Sequence, residues 1–127
     1  MEKIHLTSIT APLAAQLLAG MAALDPTGRT CEDGIPTMAR RGECVLATDG
    51  EGDQAVFVLR SENGMAWIDA ARALTGRRWT ARLFAAIERR ALGHREIGFQ
   101  TARAGLARQA QALGYEVTGY ILRKKLP

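Results

Sequence analysis

Three strand-like segments joined by short turns constrain the fold of this chain more than any other feature of its sequence. They are ECVLAT (43–48), QAVFVLR (54–60) and MAWIDAAR (65–72), separated by DGEGD and SENG. These glycine-containing connections are too short for a crossover, so each segment must pair antiparallel with the next. The middle of the chain is therefore predicted to form a three-stranded meander.

Before the meander the sequence predicts a strand, a helix and a loop. Lys3 to Ile9 alternates as a short strand does, and Thr10 is a good N-cap for a helix with Pro12 in its first turn. One apolar stripe at helical spacing follows, formed by Leu13, Leu17, Met21 and Leu24 with Leu18 beside it. Residues 25–42 are rich in Gly, Pro, Thr and charge, which predicts a loop with one short helical turn at most.

After the meander, helical and strand-like segments alternate. Residues 76–92 have helical spacing and end at Gly93, residues 96–101 form a strand, and residues 102–113 form a helix with Gly114 as its C-cap. Residues 116–126 are predicted to form a last strand. Because a helix links 65–72 to 96–101, these two strands are predicted to be parallel neighbours. The predicted core contains Leu13, Leu17, Met21, Val56, Val58, Trp67, Leu83, Ile87, Phe99, Leu106 and Leu113.

This order predicts an α/β (α+β) fold, a mixed and mostly antiparallel twisted sheet with helices on both faces. At 127 residues the chain is expected to be a single domain, 1–127. The N-terminus lacks the apolar region of a signal peptide, and no apolar run approaches the roughly 20 residues of a membrane span. We therefore expect a cytoplasmic protein without a membrane segment. Cys31 and Cys44 lack a second cysteine pair or a histidine cluster, so free thiols and no metal site are expected.

Charge is distributed unequally along the chain. Residues 1–71 hold five Lys or Arg against ten Asp or Glu, a net charge of −5, whereas residues 72–127 hold twelve against three, a net charge of +9. Two interpretations stay open: the basic half attracts the phosphates of a nucleotide cofactor or of nucleic acid, or it is a solvated surface. Without aromatic residues interleaved for base stacking, we expect only weak, nonspecific nucleic-acid binding.

The segment ALTGRRWTARLF (73–84) places adjacent arginines where a strand is followed by a helix. The first backbone N–H groups of a helix have no internal partner and the helix dipole is positive there, so such a junction suits an anion. A phosphate-bearing ligand is one interpretation. The other is a capped helix start with solvated arginines.

The element order and this junction resemble the GCN5-related N-acetyltransferase (GNAT) superfamily. Its Q-x-x-G-x-G/A turn, whose amides hold the cofactor pyrophosphate, falls here on Thr75, Gly76, Arg77, Arg78, Trp79 and Thr80. The resemblance implies a small, degenerate N-acyltransferase that uses acetyl-CoA or another acyl-CoA and a small-molecule or protein amine as acceptor. It also implies that the backbone of Ile68 and Ala70 runs along the pantetheine and that Gln100 and Thr101 hold the acceptor.

Three departures from the family pattern leave the function open. Arg78 and Thr80 replace the motif glycines, so either their side chains substitute for amide contacts or they obstruct the pyrophosphate. Ala110 stands at the position of the family's catalytic tyrosine and Arg103 at that of the usual asparagine. Tyr120 lies too far along the chain, in the predicted terminal strand, to replace that tyrosine without a change of geometry. The terminal hairpin is shortened to about one strand, which leaves a sheet edge that a homodimer partner would cover.

The catalytic residues are unknown from sequence. Asp69, Glu43 and Glu96 are candidates for a general base, each only if it is partly buried near the gap in the sheet. His5 and His94 are less suited, because they fall in an edge strand and a turn. The alternative to an acyltransferase is a non-catalytic module of the same fold that binds a protein or nucleic acid through its basic C-terminal half.

Overall fold

Five strands and four helices occur in the part of the chain that the computed structural model describes, which is residues 3–21, 34–101, 103–118 and 124. In chain order they are β1 (His5–Ser8), α1 (Ala11–Leu17), α2 (Ile35–Arg41), β2 (Glu43–Thr48), β3 (Gln54–Glu62), β4 (Met65–Ala73), α3 (Trp79–Arg90), β5 (Glu96–Gly98) and α4 (Ala104–Ala112).

The strands form one sheet in the order β1-β2-β3-β4-β5. The first three pairings are antiparallel, and β4 and β5 are parallel, with Ala66 opposite Ile97. Both the meander and the parallel pair were predicted and are confirmed. Helix α3 supplies the crossover that a parallel connection requires.

A β-bulge interrupts β4 in its middle. Val58 on β3 pairs with Ala70, but the next residue, Leu59, pairs with Ile68. Asp69 is therefore an extra residue on β4 that has no pairing partner on β3. A bulge bends its strand and interrupts the ladder of hydrogen bonds. The regular pairing of β4 with β3 is therefore interrupted at Asp69.

Helices cover both faces of the sheet, as predicted. Helix α3 packs on one face over Phe57, which has no exposed surface, and its own Leu83 and Ile87 are buried there. Helices α1 and α2 cover the other face over Val56 and Val58. The sheet is thus buried from both sides, which explains the unbroken apolar run of β3.

Helix α1 begins where it was predicted to begin, but it buries a different side from the predicted one. The Thr10 hydroxyl accepts a hydrogen bond from the Leu13 N–H at 3.3 Å, which confirms the N-cap. The buried residues of this region are Ala14 and Leu18, whereas Leu13 is 41% exposed. The prediction of Leu13 as core was wrong, because α1 turns Ala14 and Leu18 towards α2. Leu113, 43% exposed, was also wrongly assigned to the core.

Two further segments differ from the sequence-based prediction. Residues 35–41 form a full helix, α2, where a loop was expected; Ile35 and Ala39 bury one side of it against the sheet. Strand β5 has only three residues, because Phe99 leaves the strand and packs against Phe84 and Tyr115.

The C-terminal predictions are only partly testable. Residues 116–118 and 124 are not in a strand, and the other residues of the predicted last strand, with Tyr120 and the shortened hairpin, lie outside the described residues, as does Cys31. Cys44 is a free, buried thiol whose pKa is raised by burial and by the charge of Glu43. The longest described helix has 12 residues, and none is long and apolar enough to cross a membrane.

Candidate active site

The turn between β4 and α3, residues 75–78, is fixed to the start of β3. The backbone N–H of Thr75 donates to the Gln54 carbonyl at 3.1 Å, and the Gln54 N–H donates to the Thr75 hydroxyl at 2.9 Å. Trp79, buried under the first turn of α3, donates from its indole Nε1 to the Thr75 carbonyl at 2.7 Å. The turn therefore has a rigid support.

Two residues of this turn have left-handed backbone conformations. Gly76 has a φ of 86°, and a Cβ atom there would lie 2.6 Å from Cγ of Asp53, so this position requires glycine. Arg78 has a φ of 60° although it is not glycine. Such a conformation costs a non-glycine residue roughly 1–2 kcal/mol. Arg78 thus occupies a motif position at which glycine would be unstrained.

The side chains of Arg77 and Arg78 are exposed at this turn, and within the described residues neither makes a hydrogen bond or ion pair. Arg77 and Arg78 directly precede the first helical residue of α3, where the helix dipole also favours an anion. The predicted anion-binding turn therefore has the charge that such a ligand needs.

A buried carboxylate and an arginine that sequence analysis did not single out lie behind the turn. Asp49 is 7% exposed and accepts 2.9 Å hydrogen bonds from the backbone N–H groups of Glu51 and Asp53. Its second oxygen accepts from Arg82 at 3.0 Å. Arg82 lies over the Trp79 ring at 4.3 Å from the centroid. No local sequence pattern marks this pair, because Asp49 falls in a polar turn and Arg82 on the charged side of a helix.

The Asp49 pair predicts a pH dependence of stability. Burial raises the pKa of the Asp49 carboxyl, but the hydrogen bonds from Arg82, Glu51 and Asp53 outweigh it and hold the pKa below its ordinary value of 3.8. A pKa lowered by folding means that the ionised group contributes stability above pH 3.8 and loses this contribution as the pH falls through the folded-state pKa.

We therefore expect Asp49→Asn to lower the free energy of unfolding in urea at pH 7 and to lower it much less at pH 3. Comparison with the parent at each pH isolates this group from the other carboxylates. A deficit of the same size at both pH values would contradict the assignment.

A cleft of about 1230 Å³ runs along the edge of β4 towards the segment that follows β5. Its lining includes the predicted pantetheine residues Ile68 and Ala70, the motif residue Thr80 and the predicted acceptor residues Gln100 and Thr101. Thr75, Gly76, Arg77 and Arg78 lie on the adjoining turn rather than in the cleft lining. The structure thus brings together in one cleft residues that are up to 33 positions apart in sequence.

Of the three candidate bases, Asp69 lines the cleft and the other two do not. Its side chain is 16% exposed and accepts a 2.9 Å hydrogen bond from Nε of Arg60. Glu43 is paired with Arg90, and Glu96 is exposed. Among the described residues, Glu62 is a second carboxylate of the cleft, more exposed than Asp69 and also paired with Arg60.

The histidines lie outside the cleft lining. His5 is exposed on β1. His94 has its Nδ1 2.9 Å from the Ala91 carbonyl and its Nε2 2.7 Å from the Ser61 hydroxyl. In the described part of the chain, no three His, Cys, Asp or Glu side chains are arranged to hold a metal ion.

The position of the family tyrosine holds no acid. Ala110 is buried on α4. Tyr115, five residues later, donates from its hydroxyl to Glu88 at 3.0 Å, and burial together with this hydrogen bond and the Glu88 charge raises its pKa far above the usual value. Tyr115 packs with Phe84 and Phe99 and does not line the cleft. Its hydroxyl is thus paired with Glu88, and its ring belongs to an aromatic cluster.

Comparison with known proteins identifies the architecture. No family model and no curated protein matches the sequence. Among solved structures, an IAA acetyltransferase from Bacillus cereus superimposes with a TM-score of 0.66 at 20% identity, over 92% of this chain and 79% of that one. A GNAT-family acetyltransferase from Streptococcus pneumoniae gives 0.62 at 15% identity, over 99% and 100% of the two chains. This chain has the GNAT acetyltransferase fold.

A third structure with the GNAT fold has a bound CoA compound. AAC(6')-Iy, in complex with the bisubstrate analog CoA-S-monomethyl-acetylneamine, superimposes with a TM-score of 0.53 at 16% identity, over 98% of this chain and 99% of that one. At these identities the comparisons establish the fold and leave the site residues of this chain to be argued from its own geometry.

Proposed function

We propose that this protein is an acyl-CoA-dependent N-acyltransferase acting on an amine. The observation that carries the proposal is the continuity of the cleft beside the β4 bulge with the cationic turn before α3. A long ligand with an apolar arm and a phosphate-bearing end matches a cleft that ends at a helix N-terminus. The GNAT fold and the CoA compound held by AAC(6')-Iy support the same ligand class.

Each part of the site has a role in this proposal. Arg77, Arg78 and the turn of Thr75 and Gly76 bind the pyrophosphate, with the Thr80 hydroxyl beside them. The backbone of Ile68 and Ala70 runs along the pantetheine, next to the bulge where the ladder of β4 is interrupted. Gln100 and Thr101, which line the same cleft, hold the acceptor.

Acyl-CoA supplies an activated thioester. The acceptor nitrogen forms a bond to the acyl carbon while the carbon–sulfur bond breaks, and the nitrogen must lose a proton. Asp69 takes that proton, because it is the less exposed carboxylate of the cleft and Arg60 fixes its orientation. A thiol has a pKa of about 8.5, so its thiolate departs without the missing tyrosine at a moderate cost.

Five of the twelve Lys and Arg residues in the basic half, 72–127, make internal contacts through their side chains in the part of the chain that the structure describes. Arg82 pairs with Asp49 and Arg90 with Glu43. Backbone carbonyls accept hydrogen bonds from a further set of side chains, those of Arg72, Arg89 and Arg95. These contacts favour a small phosphate ligand at Arg77 and Arg78 over an extended nucleic-acid surface, and an enzyme over a binding module. The cytoplasmic location expected from the sequence remains part of the proposal.

The proposal predicts that Arg78→Ala weakens binding of desulfo-CoA about tenfold to a hundredfold. A lost charge-assisted hydrogen bond costs roughly 1.5–3 kcal/mol, which corresponds to that range. Calorimetry measures the dissociation constant, and Arg108→Ala, an exposed cation on α4, is the control for loss of charge alone. An equal loss of affinity in both variants would mean that Arg78 acts only through the net charge of the protein, and would contradict a direct contact between Arg78 and the ligand.

A further inference from the structure

Arg82 binds the carbonyl groups of the pyrophosphate turn. Its Nη2 donates to the Arg77 carbonyl at 2.8 Å and its Nε to the Arg78 carbonyl at 3.1 Å. Both distances are those of good hydrogen bonds, and a guanidinium is a planar fork with several donors in fixed directions. One side chain therefore sets the orientation of two successive peptide groups.

Asp49 fixes Arg82 from behind. Its Oδ2 accepts from Nη1 of Arg82 at 3.0 Å, while its Oδ1 is held by the backbone of the β2–β3 loop. The carboxylate is almost fully buried and neutralises much of the guanidinium charge. Arg82 therefore influences a bound ligand mainly through the peptide groups that it orients, and less through its own charge.

The direction of the carbonyls determines the direction of the neighbouring amides. The peptide bonds of this turn are trans, so within each peptide plane the N–H is directed opposite to the C=O. Because the carbonyls of Arg77 and Arg78 face Arg82, the N–H groups of Arg78 and Trp79 face away from it. These two N–H groups precede and begin α3, where an anion is favoured.

We propose that Arg82, anchored by Asp49, is a positioning residue that holds the N–H groups of Arg78 and Trp79 outward to receive the pyrophosphate of acyl-CoA. This inference rests on the proposed function. It explains how a turn with arginine in place of a motif glycine keeps a left-handed conformation: the carbonyls on both sides of Arg78 Cα are fixed by one guanidinium.

The experiment compares Arg82→Met and Arg82→Lys with a control on the same helix, Arg89→Met. Arg89 is exposed and donates to a single carbonyl, that of Ile4, away from the turn. Calorimetry with desulfo-CoA is expected to show about tenfold weaker binding for Arg82→Met and unchanged binding for Arg89→Met. Arg82→Lys is expected to be as weak as Arg82→Met, because an ammonium keeps the charge and lacks the fork.

Amide resonances give a readout that a general loss of stability does not produce. In two-dimensional NMR of the parent, the Arg78 and Trp79 amides are expected to shift on addition of desulfo-CoA, and in folded Arg82→Lys they are expected to shift much less. Unchanged affinity in Arg82→Met, or full affinity in Arg82→Lys, overturns the positioning role of Arg82 and leaves the proposed function standing. No binding by the parent overturns the proposed function and this inference with it.

Discussion

Asp69→Asn is expected to lower the kcat for acyl transfer about a hundredfold or more while the KM for acetyl-CoA stays nearly the same. Loss of a general base typically costs roughly 10²–10⁴-fold in rate. An asparagine keeps the size of the side chain, and its carbonyl still accepts a hydrogen bond from Arg60, but it cannot take a proton from an amine. The bulge that places Asp69 belongs to the backbone, so cofactor binding is expected to persist.

The measurement is release of free CoA thiol from acetyl-CoA in the presence of a panel of primary amines. The matched control is Glu43→Gln, which removes a carboxylate paired with an arginine outside the cleft lining. Thermal unfolding of each variant reports whether loss of the ion pair has altered the fold. Full activity of folded Asp69→Asn would exclude Asp69 as the base.

Phe57→Ala is expected to lower the free energy of unfolding by about 3–5 kcal/mol. Phe57 has no exposed surface and lies at the centre of β3, under the buried side of α3. Its removal leaves a cavity beneath the helix whose N-terminus forms the candidate site. Since domains of this size are stable by only roughly 5–15 kcal/mol, this loss is a large share of the total.

Urea unfolding with a constant m-value gives the measurement for Phe57→Ala. Leu92→Ala is the control, because Leu92 is 78% exposed and its truncation is expected to change stability by about 0.5 kcal/mol or less. Phe57→Leu provides a milder variant if the alanine variant does not fold. A loss below about 1 kcal/mol in Phe57→Ala would mean that this face of the sheet is not the principal core.

Local sequence signals predicted the centre of the fold. Strand β2 has the predicted bounds, and β3 and β4 differ only at their C-terminal ends, because alternation and short turns determine a meander. The parallel pairing of β4 and β5 was predicted from the helix that links the two strands as a crossover. The rotation of α1 and the helix at 35–41 were missed, since they depend on packing between α1 and α2, which a single periodicity does not record.

The candidate site also combines features that local sequence patterns predict with features that depend on the three-dimensional fold. The motif and the strand order predicted where the turn before α3 and the residues along β4 lie relative to each other, and anion binding by that turn stays a prediction. The bulge at Asp69, the selection of Asp69 over Glu43 and the contact of Arg82 with Asp49 depend on register and on residues distant in sequence. These features have no local sequence signature, so only the three-dimensional structure identifies them.

The side chains that replace the motif glycines, Arg78 and Thr80, decide whether the turn can bind a pyrophosphate. If Arg78 and Thr80 obstruct the pyrophosphate, Arg78→Gly with Thr80→Gly should create or improve CoA binding. If Arg77 and Arg78 grip the pyrophosphate instead, the same variant loses a cationic contact, although glycine relieves the left-handed strain at Arg78. The two hypotheses thus predict opposite changes in affinity.

Calorimetry of the unaltered protein with acetyl-CoA and desulfo-CoA is the decisive measurement of acyl-CoA binding. We predict a one-to-one complex with both ligands, because the phosphates rather than the acyl group supply most of the charge-assisted bonding. Absence of binding at millimolar CoA, with binding gained by the double glycine variant, would contradict the claim and favour a non-catalytic module with the GNAT fold.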